Sequence, residues 1–323
     1  MIGQTMINKE LYKKFCDSEP IPIFSQYWWL DSVCGSDGWD VLLVVKGNDI
    51  WASMPYYKTK RGFFDIITMP TLTQNMGIYV KYPQNQKSHK KISWENEMTK
   101  KLFDKLPKFD SYLCNFHYNV SNWMELYWNN FNCTTHYTYV INDLDNLDEV
   151  YNNFDKSYRN KIANAKKKVE VKTGMNISDF FDINKMTFER QNIDIPYSLN
   201  FLEKHDYALA KNNAREIFYA VDELNNIHSA LYLTWDKKSS YVHMVGEDPE
   251  LRNSAAGLLL IWEAIKYTKE VLGLNIFDFE GSMLKNVEQV RRKFGATQTQ
   301  YFSISKVNSK TIKFKNFFKD IVK

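Results

Sequence analysis

Between Ser239 and Ala296 the spacing of apolar residues changes twice. Over Ser240–Gly246 the residues Tyr241, Val242, Met244 and Val245 form a run of β-formers that predicts a strand. A polar loop, Glu247–Ala256, follows. Leu258, Ile261, Trp262, Ile265 and Val271 then recur close to the 3.6-residue period and predict a helix over Gly257–Leu272. A short apolar run, Asn275–Phe279, predicts a second strand ending in Glu280-Gly281-Ser282. A crossover of this length implies parallel strands in one sheet, and the loop after the first strand presents free backbone N–H groups where an anion such as phosphate can bind. Strict alternation would put Tyr241, His243 and Val245 on one face of the first strand.

Upstream, the first element the pattern predicts is a short helix over Phe24–Val33, entered after Pro20 and Pro22 with Ser25 as its cap. Trp39–Lys46 and Ile50–Lys58 predict a hairpin around Gly47-Asn48-Asp49, Phe63–Met69 a third strand, and Pro70–Ile78 a loop crossing the sheet. Trp94–Leu106 reads as a polar helix, Tyr112–Phe116 as a strand, Trp123–Trp128 as a helical turn and Thr134–Ile141 as a strand. The run Asn142-Asp143-Leu144-Asp145-Asn146 marks a seam, so the expected domains are residues 1–142 and 143–323. Beyond it lie a helix over Leu147–Phe154, a basic helix over Ser157–Lys168, a short strand at Val169–Lys172, and helices over Ile177–Gln191 and Leu199–Asn212. A hairpin pairs Glu216–Asp222 with Ile227–Trp235, and Thr299–Lys306 closes the sheet. The two halves share a coarse order of elements without a fixed short period, as expected of a degenerate structural duplication.

Composition narrows the class. With 323 residues, 44% hydrophobic and 15% aromatic, the chain can bury two cores of about 150 residues each and is not a disordered protein. No apolar run approaches the roughly 20 residues a bilayer crossing needs. Met1–Glu10 lacks a basic segment followed by an apolar one, so the expected compartment is the cytoplasm. Cys16, Cys34, Cys114 and Cys133 form no CxxC pair, and His89, His117, His136, His205 and His228 show no ligand spacing, so no metal is expected. The net charge of +4 is concentrated locally, at Lys87, Lys90 and Lys91, at Arg159, Lys161 and Lys166–Lys168, and along the tail. Such runs are solvated faces or contacts for an anionic partner.

One resemblance ties these pieces together. Ala230-Leu231-Tyr232-Leu233, Tyr241–Gly246, Asp248-Pro249-Glu250-Leu251-Arg252, Gly257-Leu258-Leu259-Leu260, Phe277–Ser282 and Arg292-Lys293-Phe294-Gly295-Ala296, in that order, resemble the FemAB-like branch of the GNAT acyltransferase superfamily. Phe24-Ser25-Gln26-Tyr27-Trp28 resembles its N-terminal aromatic box, and Ser157–Ile162 its basic helix. The resemblance implies an α/β (α+β) fold made of a tandem pair of GNAT-like domains, each a mixed, mostly antiparallel sheet flanked by helices. It also implies transfer of an acyl group to an amine bound in the cleft between domains. The implied donor is acyl-CoA. The alternative is aminoacyl-tRNA, used by relatives that extend peptidoglycan precursors; the long helical hairpin that some of those relatives carry is absent here. A third reading is a binding protein that keeps the fold without catalysis.

Against that background, Arg252, Asn253, Ser254, Ala255, Ala256 and Gly257 stand where a donor pyrophosphate loop is expected, with Ala255 in place of its first glycine. Glu280, at the end of a strand, would accept the proton of the amine or cap the turn at Gly281. Lys293 would hold a phosphate or an oxyanion, or end a solvated helix. His243 is a base or a hydrogen-bonded core histidine. Acceptor contacts fall to Tyr232, Arg159 and Asn75, each with packing or solvation as its plainer role. Walker, GxSxG and GxGxxG signatures are absent, and acyl transfer by direct attack needs no enzyme nucleophile.

Overall fold

The computed structural model of the chain describes residues 2–281 and 283–321; Ser282, the last residue of the expected turn, lies outside them. In chain order the elements are α1 (Ile2–Ser18), α2 (Tyr27–Cys34), β1 (Trp39–Lys46), β2 (Asp49–Arg61), β3 (Phe64–Thr68), β4 (Tyr79–Val80), α3 (Ser88–Phe103), β5 (Ser111–Asn115), α4 (Met124–Trp128) and β6 (Asn132–Ile141). They continue with α5 (Leu147–Asn152), α6 (Lys156–Ala165), β7 (Glu170–Thr173), α7 (Ile177–Glu189), α8 (Leu199–Lys211), β8 (Arg215–Val221), β9 (Ile227–Trp235) and β10 (Ser239–Glu247). The last are α9 (Ala256–Glu270), β11 (Ile276–Asp278), α10 (Lys285–Arg292), β12 (Thr297–Val307) and α11 (Lys310–Ile321). The residues group into two compact units, Met1–His136 with Gln300–Lys323, and Tyr137–Thr299. No described helix is long and apolar enough to cross a membrane.

In the first unit β1, β2 and β3 form an antiparallel meander, β5 joins β3 in parallel, and residues 303–307 of β12 pair antiparallel with β5. Strands β1 and β2 are covered on both faces, and Val41, Leu43, Ala52 and Met54 belong to one core with Tyr12, Phe15 and Cys16 of α1, three residues at helical spacing. Ile7 and Leu11, at helical spacing from Phe15, are exposed among polar residues, and helix α1 goes unpredicted from sequence. The short helix α2 is entered at Gln26 with no side-chain cap; Ser25, expected as the cap, ends a 3-10 turn, and its carbonyl accepts a bond from Tyr12 Oη at 2.7 Å. Helix α3 starts at Ser88, a turn and a half before the expected Trp94.

The second unit is built on β7, β8, β9, β10 and β11 in that spatial order, antiparallel except that β11 runs parallel to β10; the end of β6 flanks β11 antiparallel. This is a mixed, mostly antiparallel sheet with helices on both faces. Helix α9 buries Leu259, Leu260, Ile261, Trp262, Ala264 and Ile265 against β8, β9 and β11, with Tyr158 and Ile162 of α6 completing that core. The stripe is wider than the predicted one, and Val271, assigned to it from periodicity, lies past the helix end and is 63% exposed. On the other face α7 comes so close to β10 that a Cβ on Gly246 would stand 2.7 Å from Asn184 N. Asn184 Nδ2 donates to Val245 O at 2.9 Å, fixing that approach.

Candidate active site

The centre of the second unit is a place where two parallel strands stop pairing. β10 and β11 are in register at Ser239↔Ile276, Ser240↔Phe277 and Tyr241↔Asp278, and no further. One residue on, β10 carries an irregularity: Val242 pairs with Leu233 and Met244 with Tyr232, so His243 is the extra, bulged residue. The bulge overturns the expected alternation. Met244 Sδ lies 3.4 Å from Tyr197 Oη and His243 beside His205 of α8, whereas Val245 packs with Val242 in the α9 core. A bulge re-aims one side chain, and here it turns the imidazole into the gap left by the parting strands.

Glu280 fills the other side of that gap. His243 Nδ1 and Glu280 Oε1 are 2.9 Å apart, and their side chains are 2% and 9% exposed. Burial raises the Glu280 carboxyl above its ordinary value, and His243 and then Arg291 pull it partly back. Asp278 is buried two residues earlier. Its Oδ1 accepts from Thr138 Oγ1 at 2.6 Å and from Glu280 N at 2.9 Å, yet burial still pushes its carboxyl up to about 7. Arg291, on α10, is the counter-charge to both carboxylates; burial lowers its guanidinium to about 10, and its Nε has no acceptor among the described residues. The site therefore holds two carboxyls, one imidazole and one guanidinium with little water, the setting in which proton affinities are tuned for acid–base work.

Buried polar groups lie behind His243. Tyr232, 0% exposed, donates to Asp206 Oδ1 at 2.8 Å, and Arg215 donates from Nη2 to Asp206 Oδ2 at 3.0 Å in an ion pair that brings its Nε within 2.9 Å of Oδ1. The ring of His205 is 5.8 Å from that of His243, and burial together with His243 holds it well below the ordinary histidine value, hence neutral. Tyr232, given to the acceptor from sequence, thus spends its hydroxyl on Asp206 and stands with its ring 6.0 Å from His243.

The loop expected to hold donor phosphates leads into α9. Arg252–Ser254 form a 3-10 turn, Ala255 adopts φ 60° and ψ 28°, and Ala256 N donates to Ser254 Oγ at 3.3 Å. Ala255 thus occupies the left-handed conformation for which glycine is the usual residue. Arg252 Nε donates to Glu247 Oε2 at 2.7 Å, and Glu247 Oε1 lies 3.6 Å from where a Cβ on Gly257 would be. The helix N-terminus accordingly faces a fixed carboxylate, which sequence reasoning missed. Asn253 is exposed on the turn.

Of the remaining predicted residues, Lys293 is the exposed C-cap of α10, its Nζ 5.4 Å from the centre of the Tyr158 ring and its carbonyl bonded to Asp155 N at 2.8 Å. Arg159, on α6, donates to Asn152 O. Asn75 lies in the first unit, buried in the loop before β4, where its side-chain oxygen has no donor among the described residues. No group of three or more potential metal ligands occurs among the described residues.

Comparison with known proteins adds the following. Residues 152–292 match the family described as acetyltransferase (GNAT) domain. No curated protein matches the sequence. Among solved structures, FemX is similar over 92% of this chain and 95% of its own, at 14% identity and a TM-score of 0.65. L-PGS from Bacillus licheniformis is similar over 88% of each chain, at 9% identity and a TM-score of 0.52. A tandem GNAT protein from the clavulanic acid biosynthesis pathway is similar over 84% of this chain and 83% of its own, at 8% identity and a TM-score of 0.50. At these identities the likeness is one of fold. The family match concerns residues 152–292, which lie within the second unit.

Proposed function

We propose that this protein is an N-acyltransferase that moves an acyl group from an acyl-CoA-type donor to an amine, with the second unit carrying the chemistry. The observation that supports this reading is the buried Glu280–His243 pair, 2.9 Å apart, at the point where β10 and β11 cease to pair. Ligands of open α/β sheets bind beyond the carboxyl ends of such strands. The amine nitrogen attacks the thioester carbonyl carbon, a C–N bond forms, and the ammonium proton passes to Glu280, which burial makes more basic than an ordinary carboxylate. The tetrahedral oxyanion then collapses, the C–S bond breaks, and the thiolate leaves to take up a proton. His243 orients the carboxylate. The helix amides after Ala255 and the exposed ammonium of Lys293 are the groups assigned to the donor phosphates or the oxyanion.

The test is release of free thiol from acetyl-CoA in the presence of a panel of amines that includes amino sugars and cell-envelope precursors bearing a free amine. Glu280→Gln should lower kcat by about a hundredfold or more, within the range of general-base contributions, without loss of folded protein. Lys293→Ala should lower kcat/KM. Full activity in both variants overturns the assignment. A thermal shift with charged tRNA and none with acyl-CoA replaces the donor.

A further inference from the structure

Glu280 has φ 48°, a left-handed conformation that is strained for a non-glycine residue. Such a residue persists only where its surroundings hold it, and here the holding atoms can be named. Thr138, on β6, donates through Oγ1 to Asp278 Oδ1 at 2.6 Å and accepts from Gly281 N at 2.8 Å. Asp278 Oδ1 also accepts from Glu280 N at 2.9 Å. One hydroxyl and one carboxylate oxygen therefore tie Asp278, Glu280 and Gly281 together. Gly281 is pressed onto the same strand: a Cβ there would stand 2.0 Å from Tyr137 O and 2.3 Å from Thr138 Cα. Thr138 and Asp278 are 3% and 2% exposed, so water does not compete for these bonds.

We infer that Thr138 is a positioning residue: with Asp278 it clamps the turn 278–281 in a strained conformation whose consequence is that the Glu280 carboxylate is delivered to His243. Were the turn to relax to negative φ, the Glu280 side chain would leave the gap between β10 and β11. The carboxylate would then gain water and lose the imidazole. The inference rests on the catalytic role proposed above for Glu280, but its first readout does not depend on that role.

The experiment follows the 13Cδ resonance of Glu280 in protein labelled at its glutamates, assigned with Glu280→Gln, as pH is varied. In the native protein Glu280 titrates above the ordinary glutamate value of 4.5. In Thr138→Val, which keeps shape and removes the hydroxyl, the titration is expected to move down toward 4.5, and in Thr138→Ser to stay as in the native protein. In parallel, kcat of Thr138→Val is expected to fall by about tenfold to a hundredfold with KM within about twofold, as for a misplaced base, and Thr138→Ser to restore it. Should the valine not be tolerated, Thr138→Ala removes the same hydroxyl without adding bulk. A Glu280 titration unchanged in folded Thr138→Val or Thr138→Ala overturns the inference, as does full activity there when Glu280→Gln is inactive. If Glu280→Gln is itself fully active, the catalytic reading falls while the carboxyl titration still decides the clamp.

Discussion

Replacing Asp278 by Asn should make the protein more stable, by a margin that grows as pH rises from about 4 to about 7. Asp278 is fully enclosed, and burial raises its carboxyl from 3.8 to about 7 despite bonds from Thr138 and Glu280 N. A carboxyl whose folded value lies above its unfolded one favours the folded state while protonated. That advantage is complete below pH 3.8 and is lost as pH rises to about 7. The span of roughly 3 pH units at 1.36 kcal/mol each makes the ionised side chain cost about 4 kcal/mol above pH 7. Asn keeps the oxygen that accepts both bonds and carries no charge, so Asp278→Asn should match the native protein near pH 4 and exceed it by up to about 4 kcal/mol at pH 8. Arg291 sets the lower side of that range, because it loses one of its two carboxylate partners in the variant. The assay is urea unfolding of both proteins at pH 4, 6 and 8. Parallel stability curves across that range, or a variant less stable at pH 8, refute the reasoning.

Two further substitutions test the loop before α9. Ala255→Gly relieves a left-handed alanine at φ 60° and should raise stability by about 1 kcal/mol, read as a higher urea midpoint; an unchanged or lower midpoint contradicts the strain. Glu247→Gln removes the carboxylate that faces the α9 N-terminus and is bonded to Arg252. An anionic donor bound there should then bind about fivefold more tightly, the ~1 kcal/mol expected of one charge in a partly solvated site. Calorimetry with acetyl-CoA checks it, and equal or weaker binding removes the donor phosphates from this helix end.

Much of the fold was readable because its elements carry their own periods. The β10–α9–β11 unit, the hairpins β1–β2 and β8–β9 and the helices α7 and α8 all show alternation or helical spacing together with a turn or cap. Helix α1 escaped because its apolar residues are spread thinly through a polar segment, with Tyr12, Phe15 and Cys16 the buried ones among the described residues. The bulge at His243 escaped for a different reason. A bulge is settled by which residues of the partner strand are opposite, and β9 offers Leu233 and Tyr232 to three residues of β10. Local alternation carries no trace of that count, so the pattern assigned Val245 to the wrong face. Ala255 marked its position by contrast, as a residue standing where the backbone calls for glycine.

The site was legible as residue types and not as a network, and strand register explains the gap. Strand β11 has only three residues, yet it is in register with β10 at Tyr241↔Asp278 and with β6 at Asp278↔Val140. Two residues beyond Asp278 on all three chains lie Glu280, His243 and Thr138. These registers set the three residues side by side, and the bulge at His243 together with the left-handed φ of Glu280 then turns the imidazole and the carboxylate toward each other. Neither contact has a local signature: Thr138 is 140 residues from Asp278 in sequence, and His243 is 37 from Glu280. A one-residue slip of β11 against β6 would move Thr138 to the opposite face and leave Glu280 without its clamp. The specificity of the site for one arrangement therefore resides in the packing that fixes β11, namely Phe277 and Phe279, at 0% and 1% exposure, locked into the α9 core on the face opposite Asp278.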